Sequence, residues 1–133
     1  MNTTLSIDKE TVARNFSAAA QRYDAWANAQ QHIACALAAR IPAGPSPALI
    51  ADIGCGTGFL SELLVLRYPG AQLLGIDIAP GMINHCRHRF ANIPTARSAT
   101  GDADDATFLP SPIGLIASSC AAQWLADPAS TWR

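Results

Sequence analysis

The chain has 133 residues, half of them apolar and 14% charged, with a formal net charge of −1 at pH 7. That is one domain's length with enough apolar residues for a packed core, and it excludes both a disordered tail and the positive surface that nucleic acid or an anionic membrane requires. Four cysteines, Cys35, Cys55, Cys86 and Cys120, stand far apart with no C-x-x-C pair, so neither a zinc or other metal site nor a disulfide framework is expected.

Residues Met1 to Glu10 lack the apolar core of a signal peptide, and no run reaches membrane-spanning length. A cytoplasmic protein with reduced thiols is the expectation. Val12, Phe16, Ala20, Tyr23 and Ala27 then recur at three- and four-residue spacing, which predicts an amphipathic helix from Asp8 to Ala27. Asp8 and Glu10 suit its positive N-terminal end. A second helix is expected from Asn28, as N-cap, through Ile33, Leu37 and Ile41 to the break Pro42-Ala43-Gly44-Pro45-Ser46-Pro47. These helices, residues 1–45, are expected to form a cap over the core of residues 46–133.

That core begins with Ala48-Leu49-Ile50-Ala51-Asp52-Ile53, an apolar branched run ending at an acid, followed by Gly54, Gly56 and Gly58. A buried parallel strand feeding a glycine turn and a helix start is the reading. Alternating glycines let a ligand lie directly against the backbone, and the helix start offers free N–H groups, so a cofactor is expected here. The dinucleotide fingerprint wants G-x-G-x-x-G. Here the spacing is G-x-G-x-G, and the register from Gly56 to Ser61 fits the dinucleotide form only with serine in the last place. A nucleoside cofactor without pyrophosphate is favoured, with an NAD-type oxidoreductase half as the rival.

Leu60, Leu63 and Leu64 stripe the next helix up to Pro69-Gly70, and the strand from Ala71 to Ile76 ends at Asp77. This acid stands about 20 residues beyond the glycines, where a βαβ unit places a carboxylate within reach of ribose hydroxyls, with Ile78 beside it. Its removal is expected to cost ligand affinity and to leave thermal stability nearly unchanged. Pro80 opens a helix whose buried stripe is Met82, Ile83, Cys86 and Phe90, while His85, Arg87, His88 and Arg89 read as a solvated face. Thr95 to Thr100 is a poor strand by propensity and is assigned to a sheet edge because Gly101-Asp102-Ala103 follows it. A last strand, Ile113 to Ala117, ends at Ser118-Ser119.

Asp52-x-Gly-x-Gly-x-Gly, Asp77 and Gly101-Asp102-Ala103, in this order at strand ends, resemble the landmarks of class I S-adenosylmethionine-dependent methyltransferases. The resemblance implies a Rossmann-like, doubly wound α/β parallel sheet in strand order 3-2-1-4, incomplete at its C-terminal end relative to the family. It also implies S-adenosylmethionine as cofactor, with Asp102 accepting from the adenine amino group, the Ala103 N–H meeting a ring nitrogen, and Ser119 beside the methyl donor. Phe16, Tyr23-Asp24 and Gln30 resemble the N-terminal segment of the malonyl-acyl-carrier-protein methyltransferases, and Ser119-Cys120-Ala121-Ala122-Gln123-Trp124-Leu125 resembles the corresponding stretch of the malonyl-acyl-carrier-protein and trans-aconitate methyltransferases, both of which esterify carboxylates. A carboxylate is already an anion and needs no general base, so no catalytic residue is assigned. Gln123, Trp124 and Tyr23 are positioning candidates.

The expected acceptor is the free carboxyl of malonyl-acyl-carrier protein in biotin synthesis, a carrier-borne or small-molecule carboxylate, with no nucleic acid or membrane partner. The alternatives are a trans-aconitate-like or other small-molecule methyltransferase and a non-catalytic methyltransferase-fold fragment. Ser130 reads as the N-cap of a helix that has only begun, so the isolated chain is expected to be inactive and to self-associate through an exposed fourth strand.

Overall fold

The computed structural model describes residues 6–105, 107, 109–119, 121 and 125, apart from the Trp26 side chain. Helix α1, Lys9–Trp26, starts where the Asp8 carboxylate accepts from the N–H groups of Glu10 and Thr11, which satisfies donors that have no partner inside the helix. Helix α2 is Asn28–Ala39. Asn28 is its first helical residue and not the expected cap. Only Ala27 separates the two helices, and its carbonyl accepts from Gln31 N at 2.9 Å.

Strands β1, Leu49–Ile53, β2, Gln72–Asp77, β3, Ala96–Thr100, and β4, Leu115–Ala117, alternate with helices α3, Phe59–Arg67, and α4, Pro80–Arg89. They form one parallel sheet in the order β3-β2-β1-β4. This is the expected doubly wound arrangement, with its reversal of strand order beside β1. β4 is shorter than the run from Ile113, although the Gly114 N–H just before it still reaches the Leu49 carbonyl of β1 at 2.9 Å; a Cβ on Gly114 would stand 2.9 Å from Pro47 Cβ.

Burial explains why these runs became strands. From Ile50 to Ile53 every residue of β1 is buried, as a central parallel strand covered on both faces requires. On one face Ile50, Leu73 and Ala96 pack with Leu60 and Leu64 of α3, Ile83, Cys86 and Phe90 of α4, and Ala34 of α2. The other face carries Ala51, Ile53 and Ile76, flanked by Leu74, Ala103, Leu109 and Ile113. Helix α1 rests on α4, where Ala20, Ala79 and Met82 form a cluster with Phe16 and Tyr23. There Gly81 N donates to Ser17 Oγ at 3.0 Å. A Cβ on Gly81 would stand 2.7 Å from Ser17 Cα, so glycine at this position sets how closely the two helices approach.

Candidate functional site

The C-terminal ends of β1, β2 and β3 meet in one cleft, and the tip of β2 organises it. The Ile76 carbonyl accepts from Gly54 N at 2.7 Å and Cys55 N at 2.9 Å. Asp77 then accepts from Gly56 N through one carboxylate oxygen and from Ala79 N through the other, both at 2.9 Å. The turn between β1 and α3 takes positive φ at Gly54, Gly56 and Gly58, +69°, +57° and +93°, a region closed to most side-chain-bearing residues. A Cβ on Gly56 would meet nothing within 4 Å; the space above this backbone is open to a ligand.

The cleft has an empty volume of about 740 Å³, its mouth included, in the range of small-molecule sites. Its floor is Ile53, Gly54, Gly56, Ile76, Asp77 and Ile78, one end is Gly101, Asp102 and Ala103, and Ser119, Ala121 and Leu125 border the other. Helix α1 forms the roof with Lys9, Val12, Phe16 and Tyr23, the rings of Phe16 and Tyr23 meeting edge to face at 6.4 Å. The charge pattern is uneven. Burial raises the Asp77 carboxyl above its ordinary value, against the opposing pull of the Ala79 and Gly56 N–H groups. Asp52, 1% exposed, is pushed by burial up to about 7, although it accepts the Ser61 hydroxyl at 2.6 Å; Asp77 adds to the rise.

Two ion-paired clusters hold α1 in place. Lys9 donates to both oxygens of Asp102, at 2.9 and 2.7 Å, and to Asp104 at 2.5 Å. Burial works against its ammonium, yet the bonds from Asp102 and Asp104 leave it raised overall. At the other end Arg89 donates from Nε to the Thr57 carbonyl at 2.9 Å, from one terminal nitrogen to Glu62 at 2.7 Å and from the other to Asp24. The Thr57 hydroxyl also donates to Asp24, at 2.5 Å. Arg89 therefore leaves the solvated face assigned to it: α1 lies beside α4 and supplies a carboxylate, and the glycine turn supplies a carbonyl. Neither Lys9 nor Arg89 carries a local sequence signal for this role.

The residues expected at the site separate into three groups. Gly54, Gly56, Asp77, Ile78, Asp102, Ala103, Ser119 and Tyr23 border the cleft. Asp52 lies beneath the turn and borders an adjoining recess with Asp24, Gln30, Gln31 and Thr57, while Gly58 caps α3 and packs against Cys86 and Phe90. Gln123 and Trp124 lie outside the described residues. Asp77 also holds the turn through two backbone hydrogen bonds, a structural role beyond the ligand role expected of it.

A family profile described as a methyltransferase domain matches residues 50–132. The chain belongs to this methyltransferase-domain family. Among curated relatives, the malonyl-[acyl-carrier protein] O-methyltransferase of Anoxybacillus flavithermus is 41% identical over 94% of this chain and 47% of its own length. The protein of the same name from Acetivibrio thermocellus is 39% identical over 94% and 44%, and a biotin biosynthesis bifunctional protein of Bordetella avium 43% over 88% and 25%. The domain thus spans about half or less of these relatives. Among solved structures, a Haloferax volcanii methyltransferase in complex with the activator Trm112 is similar at a TM-score of 0.74 and 26% identity, over 87% of this chain and 51% of that one. The plantazolicin methyltransferase solved with S-adenosylhomocysteine shares the fold at a TM-score of 0.56 and 21% identity, over 96% and 48%. Among the described residues of the methyltransferase domain, no helix is long and apolar enough to cross a membrane.

Proposed function

We propose that this methyltransferase domain binds S-adenosylmethionine in the cleft and serves methyl transfer to a carboxylate, the free carboxyl of malonyl-acyl-carrier protein. The observation that carries the cofactor reading is the convergence of Asp77, open Gly56 backbone and the Gly101-Asp102-Ala103 end on one cleft. The donor set fits a nucleoside. A carboxylate has about four lone-pair sites, so Asp77 can hold Gly56 and Ala79 and still accept from ribose hydroxyls. Asp102, which borders the cleft while accepting from Lys9, is the acceptor proposed for the exocyclic amino group, and the aliphatic and aromatic roof suits a purine. When bound, the cofactor supplies an electrophilic methyl on a sulfonium.

The domain's own residues bind, orient and exclude water. Asp52, Ser119 and Tyr23 stand where the glycine turn meets the adjoining recess. A cationic ligand head there would stabilise the ionised form of Asp52, which burial otherwise disfavours. The acceptor reading rests on the names of the relatives, on the local pattern Phe16, Tyr23-Asp24 and Gln30, and on a site whose described residues need supply no base to an acceptor that is already anionic. Esterification of such an acceptor removes its charge, so a downstream enzyme built for an apolar acyl chain can take it without burying an ion.

Calorimetric titration of the domain with S-adenosylhomocysteine and with NAD tests the cofactor: tighter binding of NAD overturns the reading. Mass spectrometry of malonyl-acyl-carrier protein and of trans-aconitate after incubation with methyl donor tests the acceptor. An added methyl on aconitate alone would reverse the assignment.

A further inference from the structure

Directly beneath the glycine turn two thiols face each other. Cys55, between Gly54 and Gly56, and Cys86, on α4, have their sulfurs 3.9 Å apart. They occupy space that two glycines leave free: a Cβ on Gly58 would stand 2.9 Å from Cys86 Sγ, and one on Gly75 3.0 Å from Cys55 Sγ. Neither thiol borders the main cleft, and the chemistry proposed above uses neither. Cys55 is 7% exposed and borders the recess beside the turn, whereas Cys86 is fully buried.

The geometry points to Cys55 and Cys86 as an oxidisable dithiol that closes to a disulfide and ties the glycine turn to α4, with a peroxide as oxidant. The Cys55 thiolate attacks one oxygen of hydrogen peroxide and breaks the O–O bond, giving a sulfenic acid and hydroxide, which takes up the proton that Cys55 released. The Cys86 sulfur then attacks the sulfenic sulfur, its proton leaves with the displaced hydroxyl as water, and the S–S bond forms. The two thiols together lose two electrons, and one peroxide becomes two waters. The assignment follows access: a small peroxide reaches Cys55 through the recess, and Cys86, enclosed, resolves the sulfenic acid. The hydrogen bond with Cys86 and then burial hold the Cys55 thiol well above its usual value, so thiolate is scarce and the reaction is slow at neutral pH.

A disulfide holds its sulfurs about 2.05 Å apart, so the pair must close by roughly 1.9 Å from its present 3.9 Å. Cys55 is bonded through its own N–H to the Ile76 carbonyl, as is Gly54, and closure pulls on the backbone that lines the cleft. On the reading that the cleft binds S-adenosylmethionine, the oxidised domain binds it more weakly.

The test treats the full chain with hydrogen peroxide under native conditions, alkylates the remaining thiols, digests it and identifies cross-linked peptides by mass spectrometry. The expected product joins the Cys55 and Cys86 peptides within one chain, is lighter by two hydrogens and is reversed by dithiothreitol. Free, alkylated Cys55 and Cys86 beside oxidised Cys35 or Cys120, or a sulfinic acid on Cys55 without a cross-link, would overturn it. S-adenosylhomocysteine titration of the oxidised parent should show an affinity loss of about tenfold or more, the scale of misplacing a preorganised turn by an ångström or so, and Cys86→Ala should show none. A cross-link with unchanged affinity refutes the effect on binding. If the reduced parent binds no S-adenosylhomocysteine, the cofactor reading fails while the cross-link still decides the dithiol.

Discussion

Replacing Asp52 by asparagine should make the fold more stable at neutral and alkaline pH, by an amount that grows with pH. The carboxyl is fully buried and its pKa rises from 3.8 to about 7, so the folded state holds a proton that the unfolded chain has already lost. Stability therefore falls as pH rises from about 4 to about 7, at about 1.4 kcal/mol per pH unit, and levels off above. The full cost above about pH 7 is on the order of 4 kcal/mol. Asparagine keeps an oxygen for the Ser61 hydroxyl, and its amide costs about 1–3 kcal/mol if its N–H groups find no acceptor. That penalty does not change with pH, so the informative quantity is the difference between variant and parent. It should move in the variant's favour by about 3 kcal/mol between about pH 5 and about pH 8. Urea unfolding of both proteins across that range measures it. A difference that stays flat would show that Asp52 is ionised in the fold and that burial has been misjudged.

Asp77→Asn keeps one of the two backbone bonds and turns an amide nitrogen toward the other donor, so thermal unfolding should reveal a loss of about 1–3 kcal/mol. Calorimetry should show S-adenosylhomocysteine binding weakened by about ten- to a hundredfold; unchanged affinity would leave Asp77 a purely structural residue. Gly81→Ala drives a Cβ to 2.7 Å from Ser17 Cα and should cost about 1–3 kcal/mol by lifting α1 from α4. Hydrogen exchange confined to α1 should rise, and unchanged protection there would refute the packing argument. Lys9→Met removes the partner of Asp102 and Asp104, both part-exposed, so the loss should be at most about 1 kcal/mol. Melting in rising salt should separate the two proteins at low ionic strength and bring them together at high; parallel salt curves would mean that the pair contributes nothing.

Fold order was legible because β1 and its turn combine a buried strand with a spacing of glycines that few other local structures demand. Even β3, poor by propensity, is placed by the Gly101-Asp102-Ala103 segment at its end. What the chain could not reveal were contacts whose two halves lie far apart. Arg89 reads as a solvated cation until Asp24, 65 residues earlier, arrives beside it, and Lys9 as a first-turn lysine until the loop after β3 reaches it. Asp77 stands out in the sequence only as an acid at a strand end, the proposed partner of a ligand. Its grip on Gly56 and Ala79 depends on how closely the turn folds back over β2, a matter of backbone geometry and not of residue type. The same holds for the cap of α2, where a suitable asparagine lost its place to the short distance between two helices.

Helix α1 is fixed at three points along its length, at Lys9, Ser17 and Asp24, and each partner belongs to an element that also borders the cleft or its turn. Lifting the whole helix from the core would part all three contacts and, with Asp24, the bond from the Thr57 hydroxyl in the turn. By thermodynamic linkage, a ligand that binds the closed form about tenfold more tightly must protect α1 against opening by the same factor. Lesions spread along the whole helix then weaken binding to the extent that they favour opening, whether or not they touch the ligand.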